Sequence, residues 1–340
     1  MEKSHPEDHE MNRTPSVSKS RVAPQTLTPV SVSVLIVTYN SSTVLADCLN
    51  SIASDTNLDH EIILVDNASQ DNTLDLVRLH YSIVKVIENQ QNFGFAVGVN
   101  QASQAASGTY YLLLNPDTIL HPGAIDRLVT FLNTNPLVGI SAPRSLTCDG
   151  HIRHNCFHFE TPWSFFWFGV GIGPLRWLSG WMLHRSGWNI TANVPQVVEA
   201  VTGAVMIVRR DLFHRLSGLD ERFFMYCEDG DFCYRAWQAG LKTVLVPDAV
   251  VTHIGGVSTP RAVALLNGMI GRYLLHSRYR YTCKYWGPGA MLVLRLAYAL
   301  AGAGFILAAG LMPTDRLRSL LFRHGKLLWG TAAPRSEYVQ

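Results

Sequence analysis

Several patterns that define common classes of protein are missing from this chain. No G-x-G-x-x-G segment follows the first apolar run, which argues against a dinucleotide-binding enzyme. The six cysteines include no C-x-x-C pair and no zinc-finger spacing, so they are interpreted as buried thiols. No signal-peptide pattern precedes the first predicted strand, and we therefore expect a reducing, cytoplasmic environment.

Acidic residues are almost absent from the last part of the chain. Between residues 261 and 326, Asp315 is the only acid against ten arginines and lysines, although the whole chain has a net charge of only +2. These basic residues alternate with long aliphatic runs, which indicates contact with an anionic membrane surface. Nucleic acid is the alternative partner, and we expect none because the basic residues do not form a solvated patch.

The distribution of residue types along the 340 residues predicts three regions. Residues 1–30 are polar and lack apolar periodicity, so they are predicted to be a disordered tail. Residues 31–260 are predicted to form the main domain, and residues 261–340 a basic and apolar helical region. Within the main domain, the aromatic-rich stretch 151–190 is either an insertion that covers the site or touches lipid or acceptor, or a satellite core.

Strand-like and helix-like segments alternate from residue 32 onward. Apolar runs of strand length cover 32–37, 61–65 and 110–114, and segments with apolar residues at helical spacing lie between them. This alternation predicts an α/β fold with a doubly wound, mainly parallel sheet and helices on both faces. Ligands bind such sheets beyond the carboxyl ends of the strands.

One apolar segment near the end is long enough to interact with a membrane. Residues 289–312 lie between two prolines and carry a single charge, Arg295. The uncharged part, 296–312, is slightly shorter than the ~20 residues that a spanning helix needs. We expect a membrane-associated helix that spans, re-enters or lies on the bilayer, and a buried core helix is the alternative.

Polar residues follow the first two predicted strands. The carboxylate of Asp66 can accept an N–H from a nucleobase, and the ring of Tyr39 can lie against that base. Thr38 and Asn40 offer further polar contacts. Taken alone, Asp66 could equally cap a turn.

The segment Asn115-Pro116-Asp117 follows the strand at 110–114. Pro116 cannot donate to a strand ladder, so Asp117 is expected to project from the sheet edge. A carboxylate there suits Mg²⁺ or Mn²⁺, which take oxygen ligands and bridge phosphates. His253 follows a later apolar run and is a plausible second ligand, although a lone histidine is usually structural.

Three acids, Glu228, Asp229 and Asp231, follow an aromatic run. A capping cluster at the start of a helix accounts for one acid well and for three poorly. Acids crowded together raise one another's pKa, which prepares one of them to act as a general base.

In this order, the segments resemble those of the GT-A family 2 glycosyltransferases, most closely their bacterial rhamnosyltransferase-like branch. The resemblance covers about 31–260. It is carried by the segments 34–40, 65–69, 92–96 with Asn100, 115–117, 202–204 and 228–231, and by His253.

The resemblance implies an inverting transfer from a nucleotide-diphosphate sugar to an acceptor hydroxyl, with Asp229 as the base and Glu228 beside it. Asp117 and His253 would hold a divalent cation, Mg²⁺ or Mn²⁺. Two departures stand out: the metal motif has one acid, and no Gln-x-x-Arg-Trp segment of processive members is present, so we expect one sugar per visit. The implied nucleotide-sugar-binding residues are Thr38, Tyr39, Asn40, Asp66, Asn92, Gly94, Asn115 and Gly203.

The expected function follows from the resemblance and the apolar, basic end of the chain. The enzyme would transfer rhamnose or another deoxyhexose from a dTDP- or UDP-sugar to a lipid-linked glycan or polysaccharide of the cell envelope. It would work at the cytoplasmic face of the inner (plasma) membrane. The alternative is a non-catalytic protein that binds nucleotide sugar or scaffolds an envelope assembly complex, and the presence of Asp117, Asp229 and His253 favours the enzyme.

Overall fold

The computed structural model describes residues 31–170, 188–255 and 269–332. The predicted disordered tail and the middle of the aromatic-rich stretch lie outside the described residues. The strands are β1 Val32–Thr38, β2 His60–Asp66, β3 Lys85–Glu88, β4 Tyr110–Leu114, β5 Thr118–Leu120, β6 Val138–Leu146, β7 Ile152–Arg153, β8 Cys156–Phe157, β9 Gln196–Val198, β10 Ala200–Val201, β11 Val205–Arg209 and β12 Lys242–His253.

Helices separate most of these strands, and two helices follow the last one. They are α1 Leu45–Asp55, α2 Thr73–His80, α3 Phe95–Gln104, α4 Ala124–Thr134, α5 Pro162–Val170, α6 Arg210–Arg215, α7 Glu228–Gln238, α8 Met269–Gly310 and α9 Asp315–Ala332.

The main sheet has the strand order β3-β2-β1-β4-β11-β6-β12-β5. Strands β3, β2, β1 and β4 are mutually parallel, as are β6 and β12. Strand β11 runs antiparallel between β4 and β6, and β5 runs antiparallel at the edge. Four of the seven pairings along this path are therefore parallel, which confirms the mainly parallel α/β sheet and adds one antiparallel strand inside it.

The sheet is covered on both faces because its strands are apolar on both sides. Along β1, Val34 and Ile36 pack into one cluster with residues of α1, α2 and α4. Leu35, which points to the other face, packs into a second cluster with residues of α3, α6 and α7. A parallel strand buried on both faces shows this continuous apolar run instead of alternation.

A third apolar cluster joins the aromatic-rich stretch to the C-terminal helices. Phe165 of α5 is fully buried against Tyr281 and Tyr298 of α8, and Leu328 of α9 belongs to the same cluster. The described part of the stretch thus contributes to a satellite core, one of the two alternatives above. Trp163 of α5 nevertheless remains exposed.

Helix α8 is interrupted once and pairs closely with α9. Gly287 has a left-handed φ of 82° and precedes Pro288, so two helical pieces meet there. Further along, a β-carbon on Gly302 would lie 2.7 Å from the carbonyl oxygen of Gly325 in α9. The two helices therefore approach each other through glycines.

Among the described residues, one helix is long and apolar enough by length and composition to cross a membrane, Gly271–Gly310. Only 17% of its most apolar window is buried, which disfavours the alternative of a core helix. The helical pattern extends well upstream of the predicted 289–312. Large apolar side chains that remain exposed on α8 are Trp286, Leu292, Val293, Leu296, Leu300 and Leu307.

Candidate functional site

The candidate site lies where the strand order reverses, between β1 and β4. Successive strands are added to one side of β1 up to β3, and β4 then pairs with the other side. At such a switch point the loops that leave the carboxyl ends diverge and form a crevice. The ends of β1, β2 and β4 and the loops after them carry five of the predicted binding residues, Thr38, Tyr39, Asn40, Asp66 and Asn115; Asn92 and Gly94 follow β3, and Gly203 follows β10.

Asp66 at the end of β2 is fully buried and holds the first two loops together. Its Oδ1 accepts hydrogen bonds from the hydroxyls of Thr38 (2.9 Å) and Ser69 (2.6 Å). Its Oδ2 accepts the backbone N–H of Ser69 at 2.8 Å. In this structure the carboxylate shapes the turn after β2, which is the turn-forming role that sequence reasoning gave as its alternative.

The loop after β1 is fastened to the same turn by Asn40, which has a left-handed φ of 53°. Its backbone N–H donates to the Ser69 hydroxyl, and its Oδ1 accepts the backbone N–H of Gln70, both at 2.8 Å. The preceding Tyr39 is 45% exposed, so its ring is available to a ligand. This arrangement leaves an aromatic face beside a fixed pair of loops, which suits stacking of a base.

Gly94 stands where no other residue fits. It has a φ of 90°, and a β-carbon there would lie 2.3 Å from the carbonyl oxygen of Phe224. The Oδ1 of Asn92 accepts the N–H of Gly94 at 2.9 Å, and the side chain of Asn67 donates to its carbonyl at 3.1 Å. The contact of Asn67 with Gly94 was not predicted, because an Asn that follows the last residue of a strand commonly serves only to form a turn.

Asp117 and His253 lie side by side because β5 pairs with the end of β12. In that register His253 stands opposite Thr118, and its Nε2 lies 3.2 Å from Oδ1 of Asp117. Asp117 is buried, while the backbone N–H of Asn115 donates to Ala204 at 2.8 Å and fixes the turn before it.

A carboxylate and an imidazole are suitable ligands for Mn²⁺, and a cation bound by few protein groups completes its shell with phosphate oxygens and water. No group of three or more His, Cys, Asp and Glu residues that could hold a metal occurs in the described ranges. The two residues therefore fit a divalent ion that is bound together with a diphosphate.

Asp229 lies in the first turn of α7, beside Gly203. Its Oδ2 accepts the N–H of Gly203 at 2.9 Å, and its Oδ1 accepts the N–H of Gly230 at 2.8 Å. Burial raises the pKa of this carboxyl above its usual value, although these backbone N–H groups act in the opposite direction. A half-buried carboxylate with a raised pKa and a fixed orientation is a suitable general base.

The chain reaches Asp229 through two residues in the left-handed region, Tyr226 (φ 70°) and Cys227 (φ 69°). Neither is glycine, so each conformation costs about 1–2 kcal/mol. Glu228 follows directly, and its Oε2 is buried with no hydrogen-bond partner in the described part of the chain. Burial and the neighbouring Asp229 raise the pKa of Glu228 well above its usual value.

The third acid of the cluster, Asp231, has a structural role. Its fully buried carboxylate accepts hydrogen bonds from Arg235 (2.8 Å) and the Tyr285 hydroxyl (2.7 Å), and it forms an ion pair with Lys284. Lys284 and Tyr285 belong to α8. Helix α7, which carries Asp229, is therefore joined to the C-terminal helices by a buried network of charges.

Glu160 is a carboxyl group near this site that sequence reasoning missed. It lines a cavity with Asp229, Leu274 and Tyr281. Burial raises the pKa of Glu160 to about 7, with a lowering contribution from Arg278 and a raising one from Asp229. Its sequence neighbourhood of mixed aromatic and polar residues gave no periodic signal that could have placed it here.

Comparison with known proteins agrees with this geometry. The sequence model of the family described as "Glycosyl transferase family 2" matches residues 33–214, more than half of the chain. The chain belongs to glycosyltransferase family 2.

Individual relatives show which members of the family this chain resembles. An N-acetylglucosaminyl-diphospho-decaprenol L-rhamnosyltransferase of Mycobacterium tuberculosis is 27% identical over 245 residues, which cover 67% of this chain and 77% of the relative. The rhamnosyltransferase WbbL of Escherichia coli is 42% identical over 57 residues, 17% of this chain and 22% of that protein. The predicted likeness to rhamnosyltransferases is thus confirmed.

Among solved structures, GalNAc-T7 with UDP, GalNAc and Mn²⁺ is similar, with a TM-score of 0.56 and 18% identity. The match covers 87% of this chain and 54% of that chain, so this protein spans about half the length of its structural neighbour. At this identity the likeness shows the GT-A fold alone.

Proposed function

We propose that this protein is an inverting glycosyltransferase that moves a sugar, rhamnose or another deoxyhexose, from a nucleotide-diphosphate donor to a hydroxyl of a lipid-linked glycan in cell-envelope synthesis. The observation that carries the proposal is the placement of Asp229. Its carboxylate is oriented by two backbone N–H groups at 2.8 and 2.9 Å, and its pKa is raised by burial.

In the proposed reaction, Asp229 takes the proton of the acceptor hydroxyl while the oxygen attacks the anomeric carbon. The bond from that carbon to the diphosphate breaks on the opposite face, so the configuration inverts and the electron pair leaves with the diphosphate. The proton on Asp229 then passes to solvent. Asp117 and His253 would hold a divalent ion, which supplies positive charge to the leaving diphosphate when it is bound.

The nucleotide is assigned to the crevice between β1 and β4. The exposed ring of Tyr39 supplies a stacking surface, and the loops joined by Asp66 and Asn40 hold it in place. Because these loops are already hydrogen-bonded to each other, binding requires little ordering of the chain, which favours affinity.

The lipid-linked acceptor is supported by α8 and by the name of the mycobacterial relative, whose substrate contains decaprenol. Leu300 and Leu307 are 75% and 74% exposed on the second piece of α8. Basic residues of α9 lie close by in sequence and suit an anionic headgroup layer. Together they support a position at the cytoplasmic face of the plasma membrane.

The donor site is tested by thermal unfolding of the purified full chain with dTDP-rhamnose, UDP-sugars and no nucleotide, each with and without Mn²⁺. A ligand at about 100 times its Kd stabilises the folded state by about 2.7 kcal/mol. We expect one nucleotide class to raise the unfolding temperature more in the presence of Mn²⁺.

Transfer is then measured to a short-chain alkyl-diphosphate carrying N-acetylglucosamine, the headgroup in the relative's name. Absence of both stabilisation and transfer contradicts the proposal. Stabilisation without transfer to any of a panel of alkyl-linked sugars supports the alternative, a non-catalytic binding protein.

The membrane assignment is tested by the double variant Leu300→Glu, Leu307→Glu in sedimentation with vesicles of phosphatidylglycerol and phosphatidylethanolamine. We expect the wild type to sediment with the vesicles and the variant to remain in solution. Leu79→Glu is the matched control, since Leu79 of α2 is 77% exposed on the α/β domain. Equal sedimentation of the double variant and the control contradicts a lipid contact at α8.

A further inference from the structure

A small cavity adjoins Asp229 on the side of the C-terminal helices. Its volume is about 160 Å³, and its walls come from the end of β8 and the segment after it, from the start of α7 and the two residues before that helix, and from α8. Drug-sized ligands occupy pockets of roughly 300–1,000 Å³. The cavity is therefore sized for part of one sugar, and a whole nucleotide sugar or lipid would extend beyond it.

The walls of the cavity differ in chemistry. Phe157, Leu274 and Tyr281 supply apolar and aromatic surface, which suits the face of a pyranose ring. Glu160 and Asp229 supply the two carboxyl groups. One oriented carboxyl beside the reaction centre and a second in the same small space provide two separate polar contacts for one sugar.

Glu160 differs from Asp229 in its surroundings. Burial contributes most to the raised pKa of Glu160; Arg278 of α8 lowers this pKa and Asp229 of α7 raises it. Glu160 in turn raises the pKa values of Cys227 and Tyr281. With a pKa of about 7, a large fraction of Glu160 is protonated near neutral pH. In that form it can donate a hydrogen bond as well as accept one.

Part of the cavity lies outside the segment that the family model matches. The family match ends at residue 214, whereas the start of α7 and all of α8 follow it. Leu274 and Tyr281 therefore lie outside the matched segment. A wall contributed by α8 links the cavity to the helix on which the proposed lipid contact lies.

We propose that Glu160 is an acceptor-positioning residue, which binds a second polar group of the acceptor sugar inside this cavity and thereby holds the reacting hydroxyl against Asp229. The inference rests on the proposed transferase function and assigns the acceptor subsite within it. The recognised group is a hydroxyl or an acetamido group on the same sugar ring, at hydrogen-bond distance from the Glu160 carboxyl. Leu274 and Tyr281 pack against that ring.

The test compares Glu160→Ala with Glu160→Gln in steady-state transfer to the same short-chain acceptor. Removal of the carboxyl is expected to raise the acceptor KM about 10-fold, the loss of roughly one hydrogen bond, with the donor KM unchanged. Gln keeps a donor and an acceptor at this place, so its acceptor KM should stay within about 3-fold of the wild-type value. Asp75→Ala, on the exposed surface of α2, is the control for general effects of losing an acid.

A second variant changes a cavity residue of α8 without altering any charge. Leu274→Trp fills the space, and we expect a raised acceptor KM while slow hydrolysis of the donor by water continues at the wild-type rate. This hydrolysis is the readout that a general loss of structure would lower. Thermal stabilisation by the donor, measured on each variant, confirms that the nucleotide site is intact.

The outcomes separate the two proposals. Normal transfer by the wild type with an unchanged acceptor KM in Glu160→Ala overturns the role of Glu160 alone. An equal loss of donor hydrolysis and of transfer in that variant also overturns it, because a structural role produces this pattern. A wild type that neither binds nucleotide sugar nor transfers overturns the proposed function, and the acceptor subsite with it.

Discussion

The two sides of the candidate site hold their carboxyl groups in opposite ways. On the side of β1 and β2, Asp66 accepts three hydrogen bonds from protein groups. The nearby Asp71 has a lowered pKa although burial alone would raise it, because Thr73 and Ser42 donate hydrogen bonds to it. On the side of α7, the pKa values of Glu228, Asp229 and Glu160 are all raised, first of all by burial.

The difference corresponds to the two proposed roles of the site, nucleotide binding on the side of β1 and β2 and proton transfer on the side of α7. Hydroxyl and backbone donors around Asp66 replace water, so that side is stable before any ligand arrives. Near α7, Asp229 accepts hydrogen bonds from two backbone N–H groups and Oε2 of Glu228 has no partner among the described residues, so burial outweighs these hydrogen bonds and keeping the carboxyls there costs stability. Proteins accept this cost where a group must take up or hold a proton near neutral pH.

The largest expected effect is on turnover, from Asp229→Asn. Loss of a general base lowers turnover by ~10² or more, while donor binding stays nearly intact. Steady-state kinetics and donor-induced thermal stabilisation measure the two quantities separately. Unchanged turnover would contradict the assignment of Asp229, and loss of donor stabilisation would mean that this side also serves binding.

The same chemical change on the opposite side should act on stability. In Asp66→Asn an NH₂ group replaces one acceptor oxygen and faces the Thr38 hydroxyl or the Ser69 N–H group. We expect a loss of roughly 2–3 kcal/mol in the free energy of unfolding, measured with urea. Asp229→Asn should stay within about 1 kcal/mol of the wild type in that experiment, because removal of a buried charge with a raised pKa offsets the loss of one of its two backbone hydrogen bonds. Equal losses in the two variants would remove the contrast between the two sides.

A smaller effect is expected from Glu160→Gln, and it depends on pH. In the folded protein the pKa is raised from 4.5 to about 7, so the folded state binds more protons than the unfolded state between these values. Wild-type stability therefore falls as pH rises through this window. The variant lacks this loss and should therefore gain stability relative to the wild type as the pH rises from about 4.5 to about 8. A pH-independent difference in unfolding temperature would contradict the raised pKa.

The smallest effect is expected from Glu88→Gln, which removes an exposed ion pair with Arg78 at 2.6 Å. Surface pairs of this kind contribute about 0–1 kcal/mol, and salt screens them. Urea unfolding should show a change of about 0.5 kcal/mol or less that disappears in high salt. The variant calibrates the comparison, because its charge change involves no buried group.

Much of the α/β fold could be predicted from local pattern. The apolar runs at β1, β2 and β4 end within one or two residues of the predicted positions, because each is stopped by polar residues that cannot remain in the sheet. The antiparallel insertion of β11 was not predicted. Strand direction depends on pairing with β4 and β6, which lie far away in sequence.

The candidate site, like the fold, could be predicted from the sequence only in part. The Asp117 and His253 pair could be anticipated as residue types, but their contact depends on β5, a strand of three residues that gives no periodic signal. Glu160 and the cavity could not be anticipated at all, since α8 supplies part of the wall from more than a hundred residues downstream. The left-handed φ values at Tyr226 and Cys227 could not be predicted either, because these residue types normally avoid that conformation.

The break at Gly287 divides α8 into two pieces that have different contacts. Upstream of it, α8 lines the cavity and bonds to Asp231 through Lys284 and Tyr285, while downstream it carries the exposed leucines. For a protein held on lipid by those leucines, the angle at this joint sets the height of Asp229 above the bilayer. The joint would then determine which acceptors reach Asp229, according to the length of the spacer between lipid and reacting sugar.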